Sequence, residues 1–461
     1  MRSVLILFIL MRCVGLTAQP VYEARVIEEP QQTIRGWGIF AGKLTPGTFN
    51  ILDKPEIRMM LYGDLGINTC RIQLLPEFYQ EETGSINTNL IDSTLVLQIN
   101  QITPYYLDTN YITSIWSPPA AFKKCPTLKG KCPDGSPNTL PEQSEDVYVR
   151  FITETLMYLR HQGIPLPKFH SIQNELDYAP DWEGCAIPPE QWRRLLRKFR
   201  AAFNANGLHQ VGLMGPETAS YEGAIRYMGG RKFSALDDSE LDRQLSAFTT
   251  HGYGSGSWNS AEGNNATILR NGVRKAANAG LSTWMSEWSL AEGNTPMQMS
   301  INAMRRLGRE MVYIPFENWI WWLGWRNKYD REALIFGDEM EKTPLFYALK
   351  VLWNHVRPGY VVKHMITDDP DLIAFDPQHV DLVAWDGKDH LVVLVVNHTT
   401  HEKRFNFQNL TGDKADVYYI DELSEGEKSM EVPIQNGVAD LVPIPGETIC
   451  LLITNKGGMN E

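Results

Sequence analysis

The sequence predicts an α/β chain: a (β/α)8 TIM barrel with an attached antiparallel β-sandwich. Between about residues 34 and 325, eight short apolar runs alternate with longer amphipathic ones. Such alternation makes a parallel sheet, and eight repeats close most naturally into a barrel. After Arg357-Pro358-Gly359 the helical patterns stop and short, turn-bounded, partly alternating runs take over. The 461 residues suit one large barrel with a smaller companion.

Taken in order, residues 1–18 read as an export signal. Arg2 supplies the positive start, residues 4–11 are apolar, and small residues lead to Thr17-Ala18. A signal core needs roughly 7–15 apolar residues, fewer than the ~20 that span a bilayer. Export would make the protein secreted or periplasmic. Residues 19–35 are strand-like and precede the barrel, so they are expected to join the sandwich. The barrel is assigned to 36–354 and the sandwich to 355–461. The eight barrel strands fall at 34–40, 68–74, 112–116, 169–173, 211–214, 247–250, 282–286 and 319–322. The clearest helix covers 189–206, where Trp192, Leu195, Leu196, Phe199 and Phe203 recur at helical spacing. Its Arg193, Arg194, Arg197, Lys198 and Arg200 make a basic face expected to be solvated. Pro189 at its start and Gly207 just past its end are the usual punctuation. In the sandwich, Gly387-Lys388-Asp389 signals a hairpin.

Composition narrows the partners. With 43 Lys+Arg against 55 Asp+Glu the net charge is -12, which argues against nucleic acid and anionic membrane. No partner chain is implied, and a monomer is expected. Thirteen tryptophans stand out, since indole serves cores and sugar clefts equally well. Cys125 and Cys132 flank a Gly-containing loop and could pair in an oxidising compartment. No His pair sits at zinc-ligand spacing, so neither metal nor cofactor is expected. The Gly-rich run 252–256 resembles a phosphate loop but has no adjacent Lys.

Barrel chemistry sits at the C-terminal ends of the strands. Those ends carry Arg71, Trp116-Ser117, Asn174-Glu175, Glu217, His251 with Tyr253, Glu287 and a tryptophan cluster. Glu175 and Glu287 end strands four and seven, which face each other across the mouth. That arrangement suits glycosidic cleavage, one carboxyl protonating the departing oxygen while the other attacks the anomeric carbon. Glu217 is read as a supporting or surface carboxylate. Trp319 and Trp321 are assigned to the core, Trp322 and Trp325 to the cleft.

Trp116-Ser117-Pro118-Pro119, Ser171-Ile172-Gln173-Asn174-Glu175 and Ser286-Glu287-Trp288-Ser289 resemble hallmark segments of glycoside hydrolase family 30. The likeness runs from Gly36-Trp37-Gly38 to Arg357-Pro358-Gly359-Tyr360. It implies a retaining enzyme with Glu175 as acid/base and Glu287 as nucleophile. Asn174 would bond the sugar 2-hydroxyl, Arg71 would keep Glu287 ionised, and Tyr253 would donate to the same carboxylate. His251 would support the nucleophile or orient Tyr253. Trp116 would wall the cleaved-sugar subsite, with Trp37, Trp322 and Trp325 as further substrate-binding aromatics.

Within that family, glucuronoxylan-cleaving enzymes carry two arginines after the strand-eight tryptophans. Here Trp321-Trp322-Leu323-Gly324 is followed by Trp325-Arg326, keeping at most one. Arg326 either reads a glucuronate branch or pairs with Asp330. Leu176 replaces the Pro that usually follows the acid, which puts the loop through Asp177, Tyr178 and Trp182 in question. The resemblance implies a secreted endo-glycanase acting on a polysaccharide, first a glucuronate-branched β-1,4-xylan. The alternatives are β-1,6-glucan or β-1,6-galactan, or a non-catalytic carbohydrate-binding barrel.

Overall fold

The computed structural model describes residues 19–40, 42, 51, 54–105, 111–238, 244–253, 260–289, 293–371 and 381–456. The expected export signal and the end of the Gly-rich run 252–256 lie outside these residues. No helix among them is long and apolar enough to cross a membrane.

Eight parallel strands close into a barrel in chain order: Gly36–Phe40, Thr69–Leu74, Tyr111–Ile115, Phe169–Ser171, Gly212–Thr218, Leu245–His251, Ser282–Trp288 and Asn318–Trp322. Asn318 pairs with Gly36, which joins the last strand to the first. Alternate residues face inward. Ile112, Phe169, Met214, Ala247, Trp284 and Ile320 form one apolar cluster that plugs the barrel. Two positions further along, the inward set turns polar, with Ser114, Thr249 and Ser286 all buried. An apolar plug thus lies beneath a polar layer. Gly38 is required by closeness, since a Cβ there would lie 2.4 Å from Thr69 Cγ2.

Helix Pro189–Ala205 buries Trp192, Leu195, Leu196, Phe199 and Phe203, the face its spacing predicts. Gly207, just beyond it, takes φ +68°, the left-handed conformation that ends helices. Its basic face is not simply solvated. Arg194 donates to the buried Glu145 at 2.5 Å and Lys198 to Asp146 at 2.7 Å, tying it to the start of helix Glu145–His161.

Apart from two small sheets, Tyr79–Gln80 with Ser85–Ile86 and Trp325–Arg326 with Ile335–Phe336 and Glu341–Lys342, the remaining strands form one nine-stranded, mostly antiparallel sheet. One face coils around its own core, bringing Ala24, Met365, Val393, Phe405, Val417 and Leu452 into a single cluster. Alternate residues such as Trp385, Val392 and Leu451 join the barrel core instead. The N-terminal strand Val21–Thr33 runs antiparallel to Val361–Thr367 but parallel to Lys403–Gln408, so the sheet is not wholly antiparallel.

Candidate functional site

A cleft of about 900 Å³ opens over the C-terminal ends of the strands. Its floor holds three buried or nearly buried carboxyls and two cations. Arg71, fully buried, donates through Nη1 to Glu287 Oε2 and through Nη2 to Asn174 Oδ1 at 2.6 Å. Nη2 also lies 3.2 Å from Glu217 Oε1, and the guanidinium carbon sits 4.5 Å from the Trp116 ring centre. His251 Nδ1 is 3.1 Å from Glu175 Oε1 and 3.9 Å from Glu287 Oε1. Ser114 Oγ donates to Glu217 Oε2 at 2.5 Å. A carboxylate oxygen of Glu175 lies within 4.8 Å of one of Glu287.

The backbone turns sharply to make this arrangement. Glu175 and Glu217 both have φ +48°, and the Glu175 amide donates to the Glu217 carbonyl at 2.9 Å. Left-handed conformations at side-chain-bearing residues cost about 1–3 kcal/mol each and persist where surroundings enforce them. Here two adjacent strand ends are bent to aim carboxyls inward.

Burial works against every charge in the group, so partners decide which survive. Burial opposes ionisation of Glu217, but Arg71, His251 and the Ser114 hydroxyl hold its carboxyl down to about 2. Burial also opposes protonation of His251, yet Glu287 and hydrogen bonds to Glu175 and Glu217 push it up to about 9. Glu287 is raised, chiefly by burial; His251 and Arg71 pull against this and Glu175 adds to it. With both cations charged, one proton among the three carboxyls makes the cluster neutral. Glu175, His251 and Glu287 are also close enough to offer atoms to one metal ion. A protonated His251 has no lone pair free for a metal, and Arg71 alongside repels one.

The structure therefore brings Arg71, Trp116, Asn174, Glu175, His251 and Glu287 together. Trp322 also lines the cleft, its ring stacked 4.3 Å from Phe40. Trp37 and Trp325 are not cleft residues. Trp37 points outward from its strand, stacks on Trp353 at 6.0 Å and donates to the Val356 carbonyl at 2.7 Å. Trp325 is buried and donates to the Gly337 carbonyl at 3.1 Å. Tyr253 lines the cleft, but its hydroxyl meets Ser289 Oγ at 3.3 Å rather than Glu287. Arg326 reaches the cleft with its guanidinium already engaged, by Asp330 and by Glu332 Oε2 at 2.8 Å. Burial raises the Glu332 carboxyl, while Arg326 and the neighbouring Trp322 pull it down.

Sequence reasoning missed Glu217 as the buried partner of Arg71, together with Ser114, Phe40 and Glu332. Glu217 and Ser114 carried a weak signal, being polar residues within or ending apolar runs. Phe40 and Glu332 carried none.

No protein-family model matches the chain, and neither does any curated protein. Solved structures do match. A glycoside hydrolase family 30 subfamily 8 xylanase from Clostridium acetobutylicum superposes with a TM-score of 0.72 at 18% identity, covering 94% of this chain and 99% of that one. A family 30 endoxylanase from Clostridium papyrosolvens gives 0.71 at 20% identity, over 94% and 100%. An endo-β1,6-glucanase gives 0.64 at 14% identity, over 94% of each chain. The likeness is one of fold.

Proposed function

On a fold shared with family 30 glycoside hydrolases, we propose that this protein is a retaining endo-glycanase that cuts internal bonds of a β-glycan by double displacement. The observation that carries the reading is the Glu175–Glu287 approach, within 4.8 Å across an open cleft. Retaining enzymes hold their carboxyls about 5–5.5 Å apart, whereas inverting ones leave roughly 6.5–9.5 Å for a water.

In the first step Glu287 attacks the anomeric carbon while Glu175 gives its proton to the departing oxygen. The sugar is then an ester of Glu287. In the second, Glu175 takes a proton from water, the water oxygen bonds to the anomeric carbon and Glu287 leaves. Asn174, fixed by Arg71, is placed to donate its amide to the sugar 2-hydroxyl. His251 lies between the two carboxyls and offsets the charge that Glu175 acquires on losing its proton. Secretion accords with the Cys125–Cys132 disulfide, a bond that persists in oxidising compartments.

For the substrate, the two xylanase neighbours support a β-1,4-xylan backbone. The engaged Arg326 speaks against a requirement for glucuronate branches, because an incoming uronate would also meet Asp330 and Glu332. That observation favours unbranched glycan, with β-1,6-glucan or β-1,6-galactan as the second reading. Arg326→Ala should lower kcat/KM equally, by roughly three- to tenfold, on glucuronoxylan and on unbranched oligosaccharides, because it frees Glu332 and loosens Trp322. A loss confined to glucuronoxylan would restore branch recognition.

The deciding experiment screens glucuronoxylan, β-1,6-glucan and β-1,6-galactan and follows the first-formed anomer by proton NMR. A β product appearing first is expected. An α product appearing first means inversion and sinks the double displacement.

A further inference from the structure

Beside Glu175, on the leaving-group side of the cleft, two exposed aromatics stand on a segment without helix or strand. Tyr178 is 44% exposed and Trp182 58%, with ring centroids 6.0 Å apart, and both line the cleft. Rings this open to water in a polar-edged cleft are suited to stacking on a sugar face. A segment so irregular holds its shape only if its backbone is tied down.

The ties come from the neighbouring segment 123–139, within which the Cys125–Cys132 disulfide closes residues 125–132 into a loop. The Gly130 amide donates to the Trp182 carbonyl at 2.8 Å, and the Gly184 amide to the Leu128 carbonyl at 3.1 Å. Lys129 bridges Glu183, and Thr139 bridges Ala186. Gly130 lies against Pro180 so closely that a Cβ there would be 2.3 Å from the proline Cδ. The buried Lys123 ammonium donates to the carbonyls of Gly184 at 2.7 Å, Lys129 at 2.8 Å and Leu128 at 3.0 Å, joining both segments at one point. Asn138, also buried, donates to the carbonyls of Cys125, Thr127 and Lys129 at 3.0–3.1 Å and so keeps the loop in register.

We propose that this cystine loop is a brace holding Trp182, with Tyr178 packed against it at an interplanar angle of 59°, as a stacking platform for the sugar on the leaving-group side, so that opening the disulfide weakens binding of polymeric substrate and leaves the chemical step intact. The inference rests on the reading of Glu175 as the acid, which is what makes that side the leaving-group side. A closed loop samples few conformations. Once opened, the loop gains entropy and its ties to the neighbouring segment break more often.

The test compares oxidised wild type with dithiothreitol-reduced wild type and with a Cys125→Ala/Cys132→Ala variant. Each is assayed on a polymeric β-glycan and on a glycosyl fluoride, whose single-atom leaving group leaves the platform empty. Reduction should raise KM on the polymer about five- to tenfold with kcat unchanged, and should not alter kcat/KM on the glycosyl fluoride. Trp182→Ala should reproduce this, and reducing the Trp182→Ala protein should add nothing. Equal losses on both substrates, or losses that add to that of Trp182→Ala, overturn the brace. A readout independent of turnover is the rate of limited proteolysis between residues 176 and 186, which should rise on reduction. An unchanged rate overturns the brace even if the protein proves to be no glycosidase. Absence of turnover in the oxidised wild type, together with faster proteolysis on reduction, would remove the glycosidase reading and keep the brace.

Discussion

Glu287→Gln should reduce turnover by about 10⁴-fold or more and leave the fold intact. An amide oxygen can still accept from Arg71 Nη1, so the hydrogen-bond frame survives, but it cannot form the glycosyl ester. Stability should change little, because Arg71 keeps Glu217 as an ion-pair partner. Burial raises the Glu287 carboxyl, so near neutral pH its charge is a cost to the folded state, and the neutral amide removes that cost. A 2-deoxy-2-fluoro glycoside should add its mass covalently to wild type and not to the variant. Unchanged rates would remove the proposed nucleophile. Retained binding of oligosaccharide by the inactive variant is expected, and turnover by wild type alone separates an enzyme from a mere carbohydrate-binding barrel.

The second large effect is expected at Arg71. Arg71→Met removes the cation that faces Glu217 and Glu287 in a fully buried position. Breaking a buried ion pair from one side costs about 3–5 kcal/mol, because the remaining charge has lost its partner. The sign with pH follows from Glu217. In wild type its carboxyl is held down to about 2, so its contribution to stability is present above the unfolded carboxylate range and is lost as pH falls toward 2. Without Arg71 the effect of burial dominates, the folded pKa rises, and the gap between variant and wild type should narrow as pH falls. Adding Glu217→Gln to Arg71→Met should recover much of the midpoint in thermal unfolding without restoring activity, since Asn174 and Glu287 still lack their donor. A double variant no more stable than the single one would mean that Glu217 is not the source of the penalty.

The contrast between Glu175 and Trp37 explains what could be read from the sequence. A carboxylate at the end of an apolar run has little reason to be there except chemistry or a charge partner, so Glu175 and Glu287 stood out and the structure does bring them together. Short continuous apolar runs located all eight barrel strands to within a few residues, because inward and outward positions are both apolar in a covered sheet. Indole is ambiguous. Trp37 lies near the start of its strand and Trp325 just past the last one, and only Trp322, at the C-terminal end of a strand, meets the cleft. Arg326 was legible as one of two outcomes, and the structure pairs it with Asp330 and, two residues further on, with Glu332. Glu217 was visible as a polar strand end, but its value depends on Arg71, more than a hundred positions earlier, pointing back beneath Trp116. Tyr253 was assigned by resemblance, yet its hydroxyl finds Ser289, a contact no local pattern reveals.

The strand Val21–Thr33 alone joins Val361–Thr367 to Lys403–Gln408 within the nine-stranded sheet. Glu23, on that strand, donates its amide to Asp368, 345 positions away. A segment translated early therefore cannot reach its place until nearly the whole polypeptide has followed it. Nascent chains would hold that unpaired strand in reserve during synthesis, and loss of the segment would split the sheet into a six-stranded and a two-stranded remnant.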